Sequence, residues 1–209
     1  MNYIHQGKVL PNGEVDTGAR VSDSHELTVI PEDDALHITD YRKGDFEWWY
    51  FDLVDEQAPC FLKIVMHIGP DPLRTKIYPQ LALSVNTPDF SEYVTIPYTL
   101  SEIKADTSQC QVSAGREVRI YIENQQPLTY VVEVKSLDFT CSLKWISETE
   151  GWKPLGSEIP NTIGRKKSLF SWVIPVPKAK VEGYFSYKGK KYELTGAIGY
   201  HDHNYYKVS

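Results

Sequence analysis

Cys60-Phe61-Leu62-Lys63-Ile64-Val65-Met66-His67-Ile68 places an apolar side chain at every second position from one end to the other. Cys60, Leu62, Ile64, Met66 and Ile68 fall on one side of an extended chain, and Phe61, Lys63, Val65 and His67 on the other. Side chains alternate across a strand with period two, so the stretch predicts a half-buried antiparallel strand. The same rhythm recurs downstream. Residues 78–86 (Tyr78, Leu81, Leu83, Val85) and 92–98 (Tyr93, Val94, Ile96, Tyr98) carry it. So do Val118, Ile120 and Ile122, then Tyr130, Val132 and Val134, then Phe139, Cys141, Leu143 and Trp145. Three more strands close the chain, from Leu169 to Ile174, Lys180 to Tyr187 and Lys191 to Tyr200. Lys188-Gly189-Lys190 joins the last two as a tight hairpin with glycine at its tip. The count is about ten or eleven short strands with no amphipathic helix, the pattern of an antiparallel barrel or sandwich.

Two regions break the alternation. Residues 1–44 are polar and turn-rich, with Pro11-Asn12-Gly13 as a turn signal, and predict an irregular arm holding at most short strands. Residues 45–209 predict the barrel domain. Residues 147–166 carry Gly151, Pro154, Gly156, Pro160 and Gly164 and predict a long loop. Trp152 within it reads either as a lid residue or as an anchor for the loop.

Composition narrows the function. Of 209 residues, 41% are hydrophobic and 24% charged, as in a globular domain. The net charge of −6 and the lack of a long basic run predict no nucleic-acid partner. Cys60, Cys110 and Cys141 show no metal spacing and predict buried free thiols. Neither a signal peptide nor an apolar run of membrane length is visible, so the expectation is a cytoplasmic location without stable membrane insertion. Fourteen Tyr, seven Phe and five Trp can build a β core or line a pocket for a large apolar ligand.

Two clusters carry the chemistry. In Gly199-Tyr200-His201-Asp202-His203-Asn204, a regular strand puts Leu194, Gly196, Ile198, Tyr200 and Asp202 on one face. Leu194 and Ile198 mark that face as the expected interior. Asp202 would then sit at the rim of an apolar cavity, where lost hydration raises its pKa and leaves it able to donate a proton. The other reading makes Asp202 and Asn204 caps of a strand end. His201 and His203 fall on the opposite face with the spacing of two strand-borne metal ligands, for which His67, Glu47 or Asp52 can supply a third. In Glu47-Trp48-Trp49-Tyr50-Phe51-Asp52 both strand faces are aromatic. The stretch reads as a packed core strand with Glu47 at its polar entry, or as a cavity wall whose π-faces can stabilise a cation. Trp48, Tyr50 and Trp172, with Glu47 and Trp152, make up the expected substrate-contacting set.

Together these two motifs resemble the carotenoid 1,2-hydratase (hydroxyneurosporene synthase) and AttH-like family, with relatives among lipocalin-like Diels–Alderases. The likeness covers about residues 25–204 and corresponds to the family's N-terminal lipocalin-like domain. It implies a calycin-like antiparallel barrel and a cofactor-independent hydratase, cyclase or isomerase acting on an isoprenoid or polyketide-type substrate. It also implies acid machinery formed by Tyr200 and Asp202, with no metal. The hydratase branch has His-x-Trp where this chain has Phe170-Ser171-Trp172, so the Trp matches and the His does not. The implied partner is a hydrophobic small molecule, beside a second lipocalin-like domain or another copy of the chain. Two alternatives stand: a non-catalytic carrier of an apolar molecule, and a metal-dependent enzyme built on His201 and His203.

Overall fold

A computed structural model describes residues 8–9, 15–16, 28–69, 78–154, 158–163 and 166–208. Of the arm expected over residues 1–44, the part between 1 and 27 lies outside the described residues apart from two short strands, β1 (Lys8–Val9) and β2 (Val15–Asp16), which pair with each other. A 3₁₀ turn, Pro31–Asp34, follows, and residues 34–41 run against the barrel. No helix among the described residues is long and apolar enough to cross a membrane.

The other strands form one antiparallel sheet. They are β3 (Phe46–Asp55), β4 (Cys60–Ile68), β5 (Gln80–Asn86), β6 (Ser91–Pro97), β7 (Ile103–Ala105), β8 (Gln111–Ala114), β9 (Val118–Gln125), β10 (Leu128–Lys135), β11 (Phe139–Ser147), β12 (Glu158–Ile163), β13 (Lys166–Tyr187) and β14 (Lys190–Val208). Their spatial order is β6-β5-β4-β3-β14-β13-β11-β10-β9-β8-β7, with β12 on β13. The sheet curls into a half-barrel. Its two end strands, β6 and β7, are neighbours in sequence, joined through the 3₁₀ turn Leu100–Glu102.

The strand alternation read from the sequence holds over β4, whose even-numbered residues are all buried. The concave side is filled with apolar side chains, among them Trp49, Phe51 and Leu53 of β3, Ile64 and Met66 of β4, and Trp145 of β11. Two expectations change. The loop placed over 147–166 contains β12, which takes the edge of β13 that β11 occupies further along. Proline is tolerated on such an outer strand, so Pro160 did not rule a strand out. The two strands expected at 169–174 and 180–187 are one long strand, β13. Its register slips between Val173 and Val176 and again between Val176 and Ala179. Pro175 and Pro177 lie in these slips, where they have no N–H to give the ladder.

A third slip decides which way the last strand faces. Val181 pairs with Ala197, and Gly183 pairs with Leu194. Glu182 therefore opposes two residues, Thr195 and Gly196, which is a β-bulge. Leu194 and Ala197 both point inward, three positions apart, and the alternation changes phase between them. Gly183 sits opposite at φ +114°, where a Cβ would run into the Ser142 carbonyl oxygen. Past the bulge, β14 lies beside β3 with Gly199 opposite Leu53, Tyr200 opposite Asp52, His201 opposite Phe51, Asp202 opposite Tyr50 and His203 opposite Trp49.

Candidate functional site

The two sequence clusters are thus paired strand to strand, and each is divided between the two faces of the sheet. On the outer face, three rows run across the strands. His67, Trp48, Asn204 and Trp172 form one, Val65, Tyr50 and Asp202 the next, and Lys63, Asp52 and Tyr200 the third. Tyr200 Oη donates to Asp202 Oδ2 at 2.8 Å, and Tyr50 Oη donates to Asp52 Oδ2 at 2.9 Å. Asp202 also accepts Trp172 Nε1 at 3.3 Å on Oδ2 and Asn204 Nδ2 at 2.8 Å on Oδ1. The Tyr50 and Tyr200 rings meet edge to face, 6.1 Å between centroids. Trp152 reaches the patch by bridging to Ile174 and setting its ring edge-on to Trp172 at 6.0 Å. Both tryptophans stay accessible, at 41% and 37% exposed.

Partial burial sets the protonation of this patch. Loss of hydration raises the Asp202 pKa above its ordinary value. The Tyr200 hydroxyl, the positive imidazole side of His201 behind the sheet and the Trp172 indole pull back only part of that rise. Asp52 is raised as well, first by burial and then by the nearby Asp202, against the Tyr50 hydrogen bond and Lys63. Burial and the adjacent carboxylates push both tyrosines up, so each remains a hydrogen-bond donor. A carboxyl held this way in a half-dry aromatic setting keeps its proton to higher pH than one in open water.

This arrangement corrects the expected orientation. Tyr200 and Asp202 face away from the core rather than into an interior cavity, and Ile198, expected inside, is 55% exposed. The bulge at Thr195 and Gly196 is the cause, because it reverses the phase set by Leu194. The aromatic cavity expected inside the barrel is filled with side chains. Two clefts of about 410 Å³ and 550 Å³ lie elsewhere, along β7 to β9 and beside His37, Arg42 and Lys207. Of the expected substrate-contacting residues, Trp48, Tyr50, Trp172 and Trp152 gather on the outer face with Asp202 and Tyr200. Glu47 is fully buried on the inner face.

His201 and His203 are the inward residues, both 0% exposed. Each ring lies on its cross-strand partner: His201 on Phe51 at 3.9 Å and 4°, His203 on Trp49 at 4.7 Å and 9°. His201 Nδ1 faces the Tyr50 carbonyl at 2.9 Å and Nε2 faces Asp34 Oδ2 at 3.0 Å. Both partners are acceptors, and a neutral imidazole donates from one nitrogen only, so a proton lies between Nε2 and Asp34. His203 repeats the scheme, with Nδ1 toward the Asp33 carbonyl at 3.3 Å and Nε2 toward Glu47 Oε1 at 3.0 Å. Burial would raise the Glu47 pKa, but hydrogen bonds from His203 and His37 bring it down to about 2. Burial likewise disfavours the charged form of His203, and Glu47 and Asp34 outweigh it, leaving its pKa raised. The pair is an imidazolium and a carboxylate, with the cation over the Trp49 face.

The inner network fastens residues 33–47 to the barrel. Glu47 accepts the backbone N–H groups of His37 and Ile38 and the Tyr41 hydroxyl, at 2.8, 3.0 and 3.1 Å. Asp34 accepts Tyr130 Oη at 2.7 Å, and its carbonyl accepts Trp49 Nε1 at 3.0 Å. Lys153 pairs with Asp33 at 2.7 Å. Sequence reading missed Asp34, His37, Tyr41, Tyr130 and Lys153 as members of this network. Asp33-Asp34 beside Leu36 and Ile38 was the visible hint, while the partners lie up to 170 positions away. The two histidines do not converge on one ion position. His201 groups with Asp34 and Cys110, and His203 with His37 and Glu47, each set with ligand atoms within 4.8 Å. Of the third ligands considered, Asp52 and His67 lie on the other face.

Three crystal structures share this architecture. A protein assigned as AttH from Nitrosomonas europaea matches at TM-score 0.52 and 12% identity, over 83% of this chain and 55% of that one. CghA, crystallised with Sch210972, matches at 0.54 and 17%, over 78% and 46%. Kievitone hydratase from Nectria haematococca matches at 0.53 and 14%, over 87% and 52%. The fold is lipocalin-like. The lipocalin-like chain spans about half the length of each of these structures, and identities this low carry the fold alone. No protein-family model matches the sequence, and no curated protein matches it significantly.

Proposed function

We propose that this lipocalin-like chain converts a hydrophobic small molecule by acid–base chemistry on its outer face, without a cofactor, as a hydratase, cyclase or isomerase. The observation that carries the reading is Asp202. It is half-buried and raised in pKa, and it is held by Tyr200, Trp172 and Asn204 beside accessible aromatic rings. In its acid form Asp202 protonates a substrate alkene or hydrogen-bonds to a carbonyl, and Tyr200 stabilises the carboxylate left behind. The faces of Trp48 and Trp172 favour positive charge developing on the substrate. Two of the fold's relatives support the class: one is a hydratase, and the other was crystallised with the small molecule Sch210972. The family resemblance adds an isoprenoid or polyketide-type substrate, with a second lipocalin-like domain or subunit completing the site.

The test is turnover of a panel of isoprenoid and polyketide alkenes by the purified chain and its Asp202→Asn variant. We expect a loss of at least about 100-fold, the usual scale for a general acid, and unchanged turnover ends the proposal. A carrier role is the second reading, favoured by the exposure of Trp152 and Trp172. An intact lipid retained in native mass spectrometry, together with no turnover of any panel member, selects it.

A further inference from the structure

The outer face holds not one Tyr-x-Asp unit but two, Tyr50-Phe51-Asp52 and Tyr200-His201-Asp202. They run in opposite directions on adjacent strands, so that each tyrosine faces the other unit's aspartate. In both, the tyrosine donates to Oδ2 of the aspartate two residues on, at 2.9 and 2.8 Å. The two carboxyls are diagonal neighbours on one face, a relation that sets backbones about 7–8 Å apart. Each carboxyl is held by the tyrosine of its own unit, and the two act on each other through charge.

Their surroundings differ. Asp202 is enclosed by Trp172, Asn204 and Tyr200, and the imidazoles of His201 and His203 lie behind it. Asp52 has Tyr50 on its own strand and the Lys63 ammonium as its cross-strand neighbour. One carboxyl has an ammonium as its cross-strand neighbour and the other a tighter, more enclosed setting, and unlike surroundings are what let a carboxyl pair divide acid and base roles.

We propose that Asp52 is the base that works opposite Asp202, making the outer face a two-carboxyl site for alkenes that gain water or move their double bond. This rests on the reading of that face as the reactive site. In hydration, the alkene π electrons take the Asp202 proton to form a C–H bond, and the O–H electrons stay on Asp202. Water adds to the resulting cation, forming a C–O bond, and its surplus proton passes to Asp52. In isomerisation, Asp52 instead removes a proton from the carbon next to the cation, and that C–H pair becomes the new double bond. In both cases one proton leaves Asp202 and one arrives at Asp52. Exchange with solvent restores the starting state, so no oxidant or further reactant is needed. Asp52 was visible in the sequence as a third metal ligand to weigh, and only the strand pairing brings it opposite Tyr200.

The test begins without substrate. Chains labelled with ¹³C at the aspartate carboxyl are titrated by NMR as wild type, Asp52→Asn and Asp202→Asn. Either asparagine still accepts its tyrosine hydroxyl, which preserves the local geometry. We expect the Asp202 signal to titrate at lower pH once Asp52 is neutral, because a like charge has been removed. An Asp202 curve that Asp52→Asn leaves in place overturns the pairing. With a substrate from the panel, Asp52→Asn is expected to lower kcat about 100-fold or more with little change in KM, and to remove the acidic limb of the pH–rate profile. Full activity in Asp52→Asn with none in Asp202→Asn overturns the base and leaves the acid standing. Full activity in Asp202→Asn overturns the outer-face reading itself.

Discussion

At the scale of single residues, the inner face is governed by charge pairing in a dry place. His203 and Glu47 are both fully buried, and neither tolerates losing the other: an ion left alone inside a protein costs about 3–5 kcal/mol. Glu47→Gln is expected to destabilise by that amount, read as a lowered urea midpoint. The pH dependence has two limbs. Glu47 lies at about 2 when folded against an ordinary 4.5, so its contribution is complete above about 4.5 and is lost as pH falls toward 2. His203 is raised above 6.5, so its contribution is complete below about 6.5 and is lost as pH rises through the folded value. Stability should therefore form a plateau between about pH 4.5 and 6.5 and fall on the alkaline side. In Glu47→Gln, without the carboxylate that raises His203, the alkaline fall should flatten. An alkaline limb that survives unchanged would count against the ion pair. Little of this could be read in advance. His-x-His on a strand reads equally as core or as metal site, and the deciding partner, Asp34, sits in a stretch with no periodicity.

At the scale of elements, strands were legible wherever one face is dry and the other wet. β4, β9 and β11 follow their alternation closely because burial, rather than propensity, sets the pattern. β7 and β8 are short and carry too few positions to show a period. The phase of β14 was not legible, since Thr195-Gly196 fits a regular strand as well as a bulge. The nearest signal is that Leu194 and Ala197 are both apolar yet three apart. Gly183, across the ladder, holds the other half of that bulge. Gly183→Ala is expected to cost about 3 kcal/mol, because an L side chain is strained at that φ and its Cβ meets the Ser142 carbonyl. Equilibrium unfolding measures it, and a neutral result would mean that the bulge relaxes freely. Gly199 is constrained differently. The Trp145 indole crosses it and donates to the Asp52 carbonyl at 2.9 Å, so any Cβ there would meet the ring.

At the scale of the whole molecule, the half-barrel joins two chemistries back to back across a single sheet thickness. One end of the barrel is fastened by polar contacts between the β5–β6 turn and the β13–β14 hairpin: Asp89 with Lys190, Glu92 with Lys188 and Tyr187, and Tyr192 with Thr87. The exposed lysine–carboxylate pairs among them guide register more than they stabilise. The buried network at the other end ties residues 33–47 down. Between them, the proposed reactive face is carried on β3 and β14, central strands of the sheet that are paired on both sides. A site on such a rigid platform is well placed to hold a geometry.

The bulge at Thr195 and Gly196 also bears on inheritance. Strand phase counts residues, and the bulge absorbs one of them, so losing a single codon there would bring Leu194 and Ala197 to the two-residue spacing of a regular strand and leave every later side chain on its present face. Losing a codon in the regular run that follows, at Ile198, would instead send Tyr200 and Asp202 into the core and His201 and His203 out into water. Deleting Ile198 should therefore give insoluble protein, whereas deleting Gly196 should leave it soluble. Expression and solubility of the two variants would show the contrast. A lineage carrying this fold can thus change its length at the bulge and keep its two faces, but it cannot do so in the regular run beyond it without exchanging them.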